Sequence, residues 1–236
     1  MKPAFEILKA FSHLFFPQIC YACGSSLLGT DQLLCLRCLH ELPYTRFEKY
    51  HHNPVERIFW GRLAIHEAAS LFYFTKDSIV ERLLHQLKYK GRREVGTYCG
   101  RLMGAALQKV ERFKDIDGII PLPLFRRKER ERGFNQAKLL CDGLKEMINK
   151  PIMDDVILRI EATETQTHKN RIERWQNMEH RFEVEHPELL KGKHILLVDD
   201  VITTGATLES CAQELLRVEN TRLSILTLAY SSSRNV

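Results

Sequence analysis

Ile195-Leu-Leu-Val-Asp-Asp-Val-Ile-Thr-Thr-Gly-Ala-Thr207 decides the fold. Its apolar start, Ile195 to Val198, reads as a buried strand that carries two carboxylates, Asp199 and Asp200, to its carboxyl end. The loop of Thr203, Thr204, Gly205, Ala206 and Thr207 then opens a helix, with Leu208, Cys211, Ala212, Leu215 and Leu216 at helical spacing. Paired carboxylates can accept hydrogen bonds from two ribose hydroxyls. Small residues let backbone N–H groups wrap a phosphate at a helix N-terminus, where the dipole also favours an anion. Ligands of open α/β sheets sit outside the carboxyl ends of the strands. The pattern therefore suits a ribose phosphate. The plainer alternative is a capped helix after a strand, with two solvated aspartates. One aspartate would serve that purpose, and the full run is more specific than a lone glycine motif.

Outward from this stretch, apolar segments alternate between strand and helix spacing. Strands are expected within Leu63–Phe74, at Gly118–Pro123, at Val156–Ile160 and at Leu223–Leu228. Helices are expected after Asp77, over Arg92–Phe113, and through Ala137, Leu140, Cys141, Leu144 and Ile148. Residues 45–62 read as a loose connection, and 124–133 as a basic loop. Residues 161–180 are polar and aperiodic, and a loop of that length in a compact domain is usually functional or mobile. Alternating strands and helices predict an α/β domain with a mainly parallel sheet.

Four of the 7 cysteines form two knuckles, Cys20/Cys23 and Cys35/Cys38, spaced C-x2-C-x11-C-x2-C. Two such knuckles can close a tetrahedral thiolate shell around a structural zinc. An iron–sulfur cluster also accepts four cysteines, and two redox dithiols would share the spacing. Zinc would let a segment this short fold without a core of its own.

The composition is that of a globular protein, with 44% hydrophobic and 28% charged residues, and the net charge of +5 permits polyanionic partners without demanding them. Cys99, Cys141 and Cys211 sit singly among apolar residues, which points to a reducing compartment rather than a secreted disulfide scaffold. Residues Met1–Phe16 have the spacing of a short amphipathic helix, since Glu6, Lys9, Ser12 and His13 interrupt any signal-peptide core. No stretch reaches the length of a membrane span. The expected location is cytoplasmic.

Arg126, Arg127, Lys128, Arg130 and Arg132 lie close together, interleaved with Glu129 and Glu131. Lys88, Lys90, Arg92 and Arg93 form a second basic group, and Lys169, Arg171, Arg174 and Arg181 a third. These groups could bind pyrophosphate alone, follow a single-stranded backbone, or be solvated surface.

The 195–207 run resembles the signature for 5-phosphoribosyl 1-diphosphate (PRPP) of the type I phosphoribosyltransferases. Pro121-Leu122-Pro123, Arg132-Gly-Phe-Asn-Gln-Ala137, Leu87-Lys-Tyr-Lys-Gly91, Phe16-Pro-Gln-Ile-Cys20, and Thr165-Gln166 followed by Arg171, Arg174, Asn177 and Phe182 resemble the ComF family (ComFC or GntX-like). The resemblance covers nearly the whole chain. It implies an N-terminal helix and zinc module over residues 1–44 and a phosphoribosyltransferase-type domain over 45–236. In that domain Asp199 and Asp200 would hold ribose hydroxyls, and Thr203, Thr204, Gly205, Ala206 and Thr207 the 5-phosphate. Pro121, Leu122 and Pro123 would face the pyrophosphate, residues 161–180 would be a lid, and magnesium would bridge ligand oxygens.

The resemblance further implies a factor in natural transformation and DNA uptake. It would bind single-stranded DNA, with Lys88, Arg126, Arg127, Arg130, Arg132, Arg171 and Arg174 as candidate contacts. A helicase-like competence ATPase and a recombination mediator would be its partners. The alternative is a phosphoribosyltransferase of nucleotide salvage with a nucleobase or amine acceptor, and a weaker one is a zinc-scaffolded interaction protein with a vestigial pocket. No catalytic residue is assigned.

Overall fold

The computed structural model describes residues 19–26, 32–160 and 182–232. The expected N-terminal helix, the expected lid, and the basic residues Lys169, Arg171, Arg174 and Arg181 lie outside the described residues.

A four-stranded, all-parallel sheet organises the chain. Its strands are β1 (Ala68–Tyr73), β2 (Gly118–Pro121), β5 (His194–Ile202) and β6 (Arg222–Tyr230), in spatial order β1-β6-β5-β2. β5 and β6 are central and read as nearly unbroken buried runs, as expected where helices cover both faces of a parallel sheet. β3 (Ile157–Arg159) and β4 (Phe182–Val184) form a separate antiparallel pair. The strand expected at 156–160 therefore stands outside the main sheet.

Among the described residues the helices are α1 (Leu36–His40), α2 (Pro54–Phe59), α3 (Ile79–Tyr89), α4 (Arg93–Leu107), α5 (Arg126–Arg132), α6 (Gln136–Ile148) and α7 (Ala206–Leu216). Ser78, not Asp77, caps α3: its hydroxyl accepts from the Glu81 N–H at 3.1 Å, while Asp77 takes a left-handed φ of 60° before it. α4 and α6 approach so closely that a Cβ on Gly100 would stand 2.0 Å from the Leu140 carbonyl oxygen, and one on Gly143 1.9 Å from that of Thr97. Only glycine at both positions permits this contact.

Two expectations change. Residues 45–62 are not a loose connection. Thr45 N–H donates to the Leu71 carbonyl and Tyr73 N–H to that of Pro43, so the chain pairs antiparallel with β1 at the sheet edge. Phe47, Val55 and Phe59 are then buried in the core. Apolar residues isolated among polar ones gave no periodicity to read. The expected basic loop contains α5, built of strong helix formers, with an Arg127–Glu131 pair one turn apart and Gly133 in the left-handed closing position.

The cysteine segment shares the same core. Cys20, Ala22, Leu34, Cys35 and Cys38 are buried in one apolar cluster with the sheet residues. Tyr21 Oη donates to Glu94 Oε1 at 2.7 Å, and the Arg92 guanidinium lies over the Tyr21 ring, tying this segment to the start of α4.

Candidate functional site

The acid pair sits where the sheet runs out. β2 stops at Pro121 opposite Val198, whereas β5 continues through Asp199 and Asp200 to Ile202. Leu122 N–H donates to the Val198 carbonyl at 2.8 Å, so the Pro121-Leu122-Pro123 turn closes beside the two acids. Asn135 holds that turn in place. Its Nδ2 donates to the Leu122 carbonyl at 3.0 Å while its Oδ1 caps α6 by accepting from the Ala137 N–H at 2.9 Å. Sequence reading did not single out Asn135 by itself. An asparagine directly before an apolar helical run was the available signal.

Successive residues of a strand point to opposite faces. Asp199 turns to the face opposite Asp200, and its Oδ1 accepts from the Asp200 N–H at 2.8 Å. Burial, reinforced by the neighbouring Asp200 carboxylate, pushes the Asp199 carboxyl up to about 8, while hydrogen bonding and the charges of Lys88 and Arg159 pull the other way. Asp200 turns toward α3, where Lys88 Nζ stands 2.6 Å from its Oδ2. Lys88, grouped at first with nucleic-acid candidates, is thus a neighbour of the acid pair.

The loop after β5 encloses a cleft of about 70 Å³ lined by Asp199 and Thr203 to Leu208. Gly205 has φ +77°, and a Cβ there would meet Ile58 Cγ2 at 2.7 Å, so α2 packs directly against the loop. Arg62, from the end of that segment, braces it further. It pairs with Glu209 at 2.6 Å and reaches the Thr204 carbonyl at 3.5 Å. Nothing local in the sequence marked Arg62, since its partners lie far along the chain. A second cleft, of about 200 Å³, opens beside the proline turn and includes Pro121, Pro123, Arg126, Lys138, Asp155 and Arg159. Arg159 is sandwiched by aromatic rings, 3.9 Å from the Phe125 centroid and 5.2 Å from that of Phe182.

α5 has no buried residue. Arg126 and Arg130 border the second cleft or a further opening beside Gly133, Arg127 pairs with Glu131, and Arg132 donates to Gln136 Oε1 at 2.8 Å.

The ligand atoms of Cys20, Cys23, Cys35 and Cys38 all lie within 4.8 Å of one another, a spacing that can hold a metal ion. Burial would raise the Cys20 thiol, yet N–H groups of Cys35, Cys23 and Ala22 aimed at it bring it down to about 7. Burial and the three other thiols raise Cys38. A divalent ion inside the cluster would draw all four toward the thiolate.

The phosphoribosyl transferase domain family model matches residues 142–236, which contain the acid pair and the loop. DNA utilization protein YhgH of Escherichia coli O157:H7 is 34% identical over 207 residues, 84% of each chain. Competence protein ComFC of Bacillus subtilis is 29% identical over 84% of this chain and 78% of its own length. Competence protein F of Haemophilus influenzae is 28% identical over 62% of this chain and 66% of its own. At 34% identity over 84% of both chains, with a phosphoribosyl transferase match that spans the acid pair and its loop, this chain is a member of the ComF family carrying a phosphoribosyltransferase domain.

Proposed function

We propose that the protein binds PRPP with magnesium at the carboxyl end of β5 and works on single-stranded DNA in the cytoplasm, in DNA uptake or use. One observation carries the ligand assignment: a central buried strand delivers Asp199 and Asp200 beside a small cleft walled by Thr203 to Thr207. The carboxylates would take the ribose hydroxyls. The loop N–H groups and the start of α7 would take the 5-phosphate. The turn at Pro121, Leu122 and Pro123 would border the pyrophosphate, with Lys88 supplying positive charge at the acid pair. Magnesium would bridge ribose and pyrophosphate oxygens, because it keeps oxygen ligands and seldom needs a dedicated protein cage. The four cysteines fit a structural zinc, a closed thiolate set with no open position.

The relatives' names supply the DNA context, and the arginines of α5 supply a charge basis for strand binding. Anisotropy of a labelled oligonucleotide, with and without PRPP and magnesium, tests the combined reading. Salt-sensitive binding that falls in Arg126→Ala/Arg127→Ala/Arg130→Ala supports it. Unchanged affinity in that variant at low salt removes the α5 contacts.

A transferase reading has one observation in its favour. The 200 Å³ cleft lies beside the proline turn and could seat an acceptor next to a bound pyrophosphate. Pyrophosphate release that needs both magnesium and an acceptor, and stops in Asp199→Ala, would establish it.

A further inference from the structure

The segment between the cysteine cluster and β1 carries a surface that the ligand site does not use. Within residues 46–62 the exposed charged side chains, Arg46, Lys49, Arg57 and Arg62, are all cationic. The two carboxylates of this stretch, Glu48 and Glu56, are buried. Glu56 and the buried Glu67 both pair with the Arg112 guanidinium beneath the surface. Negative charge is thus withdrawn from the surface, while positive charge stays outside.

The same surface carries a run of rings. Tyr50, Trp60 and Tyr73 are 45%, 55% and 41% exposed. Buried Phe47 underlies one end, with its centroid 6.0 Å from Tyr50, 5.5 Å from Tyr73 and 5.8 Å from Tyr230. His51 and His52 continue from Tyr50, and the His52 ring lies 5.5 Å from that of Trp60. Arg57 Nε donates to the His52 carbonyl at 2.9 Å, and its guanidinium covers the Trp60 ring at 5.7 Å. The run reaches Arg62, which braces the Thr204 carbonyl and pairs with Glu209. It therefore extends from the carboxyl ends of β1 and β6 to the proposed phosphate loop.

Scattered exposed aromatics need no explanation. Rings in sequence, rimmed by cations and with the local carboxylates removed from the surface, match the chemistry that grips unpaired bases: stacking on π faces and attraction to the backbone. A duplex, whose base faces are covered, cannot use it in this way. We infer that this ring track is a stacking surface for single-stranded DNA. Bases rest on Tyr73, Tyr50 and Trp60, the backbone runs along Arg46, Lys49 and Arg57, and the strand is led toward the phosphate loop. The inference rests on the single-stranded DNA reading above, and it places the main contact here rather than on α5, where Glu129 and Glu131 dilute the charge.

The test uses the full metal-loaded chain, a labelled thymidine homo-oligomer, and a labelled duplex of equal length. Trp60→Ala and Tyr50→Ala should each weaken oligomer binding by roughly fivefold or more, Trp60→Phe should keep most of it, and duplex binding should change little. Ultraviolet cross-linking of the wild type should attach the oligomer to the track. Should the Trp60→Ala variant unfold, Tyr50→Ala and the cross-link site decide the matter. Wild-type binding that survives both alanine changes but is lost in Arg126→Ala/Arg130→Ala overturns the track and leaves the DNA reading intact. Equal loss of oligomer and duplex binding overturns stacking. No oligomer binding by the wild type at low salt removes both readings.

Discussion

Lys88 Nζ lies 2.6 Å from Asp200 Oδ2, bringing the end of α3 onto the acid pair of β5. Both side chains are largely shielded, at 23% and 13% exposure, so the pair is not a surface ornament. In the proposed PRPP site this ammonium would pair with one carboxylate of the ribose subsite and set positive charge beside an anionic ligand.

Removing that cation should weaken PRPP binding. Lys88→Met keeps the stem of the side chain and deletes the charge, so affinity for PRPP with magnesium should fall by about tenfold, corresponding to about 1.4 kcal/mol. Calorimetry on both proteins reads this directly, and an unchanged affinity would place Lys88 outside the subsite.

Asp199 sets a pH dependence. Its carboxyl moves from the ordinary 3.8 to about 8, so the folded protein holds a proton that the unfolded chain releases. Between those values the folded state binds more protons, and stability falls as pH rises toward 8. Asp199→Asn should flatten the decline and raise the unfolding midpoint at alkaline pH. Ligand binding has the opposite sign: a carboxylate that accepts from ribose hydroxyls must first lose its proton, so PRPP affinity should increase with pH up to about 8. Midpoints and binding isotherms between pH 6 and 9 check both.

Gly205 is required twice over, by its left-handed φ and by the proximity of Ile58. Gly205→Ala should cost about 1–3 kcal/mol of stability and distort the proposed phosphate loop. Denaturant unfolding gives the first effect and PRPP calorimetry the second.

Arg112 is the partner of two buried carboxylates, Glu56 and Glu67, and also donates to the Tyr50 carbonyl at 2.6 Å. Arg112→Met should destabilise the fold by about 3–5 kcal/mol, because it strands buried charge. The triple change Arg112→Met/Glu56→Gln/Glu67→Gln should recover part of that loss in denaturant unfolding.

The four cysteines should bind zinc stoichiometrically. Because Cys20, Cys35 and Cys38 share the core with the sheet residues, Cys35→Ser should lower both the metal content and the unfolding midpoint. Elemental analysis and thermal unfolding follow the two effects, and iron in place of zinc would reassign the cluster.

Much of this was legible because it is local. The apolar run before Asp199 announced a buried strand, the knuckle spacing announced four convergent thiols, and helical periodicity placed α6, α7 and the start of α4, although the expected helix to Phe113 stops at Leu107. What escaped depends on distant partners. Arg62 gains meaning only from Thr204 and Glu209, and Asn135 gains its second role only from Leu122. Residues 45–62 looked like a connection because their order comes from edge pairing with β1 and from Arg112, neither of which leaves a local periodicity. α5 was read as a loop because its charged side chains form no apolar face, and i,i+4 pairing with a closing glycine supplies its order instead.

The most direct test of the central claim is calorimetric titration of the metal-loaded chain with PRPP and magnesium, beside Asp199→Asn/Asp200→Asn. The account predicts saturable one-site binding in the wild type, dependent on magnesium and abolished in the double variant while the fold persists. No heat of binding at millimolar ligand, or equal binding by both proteins, would contradict it.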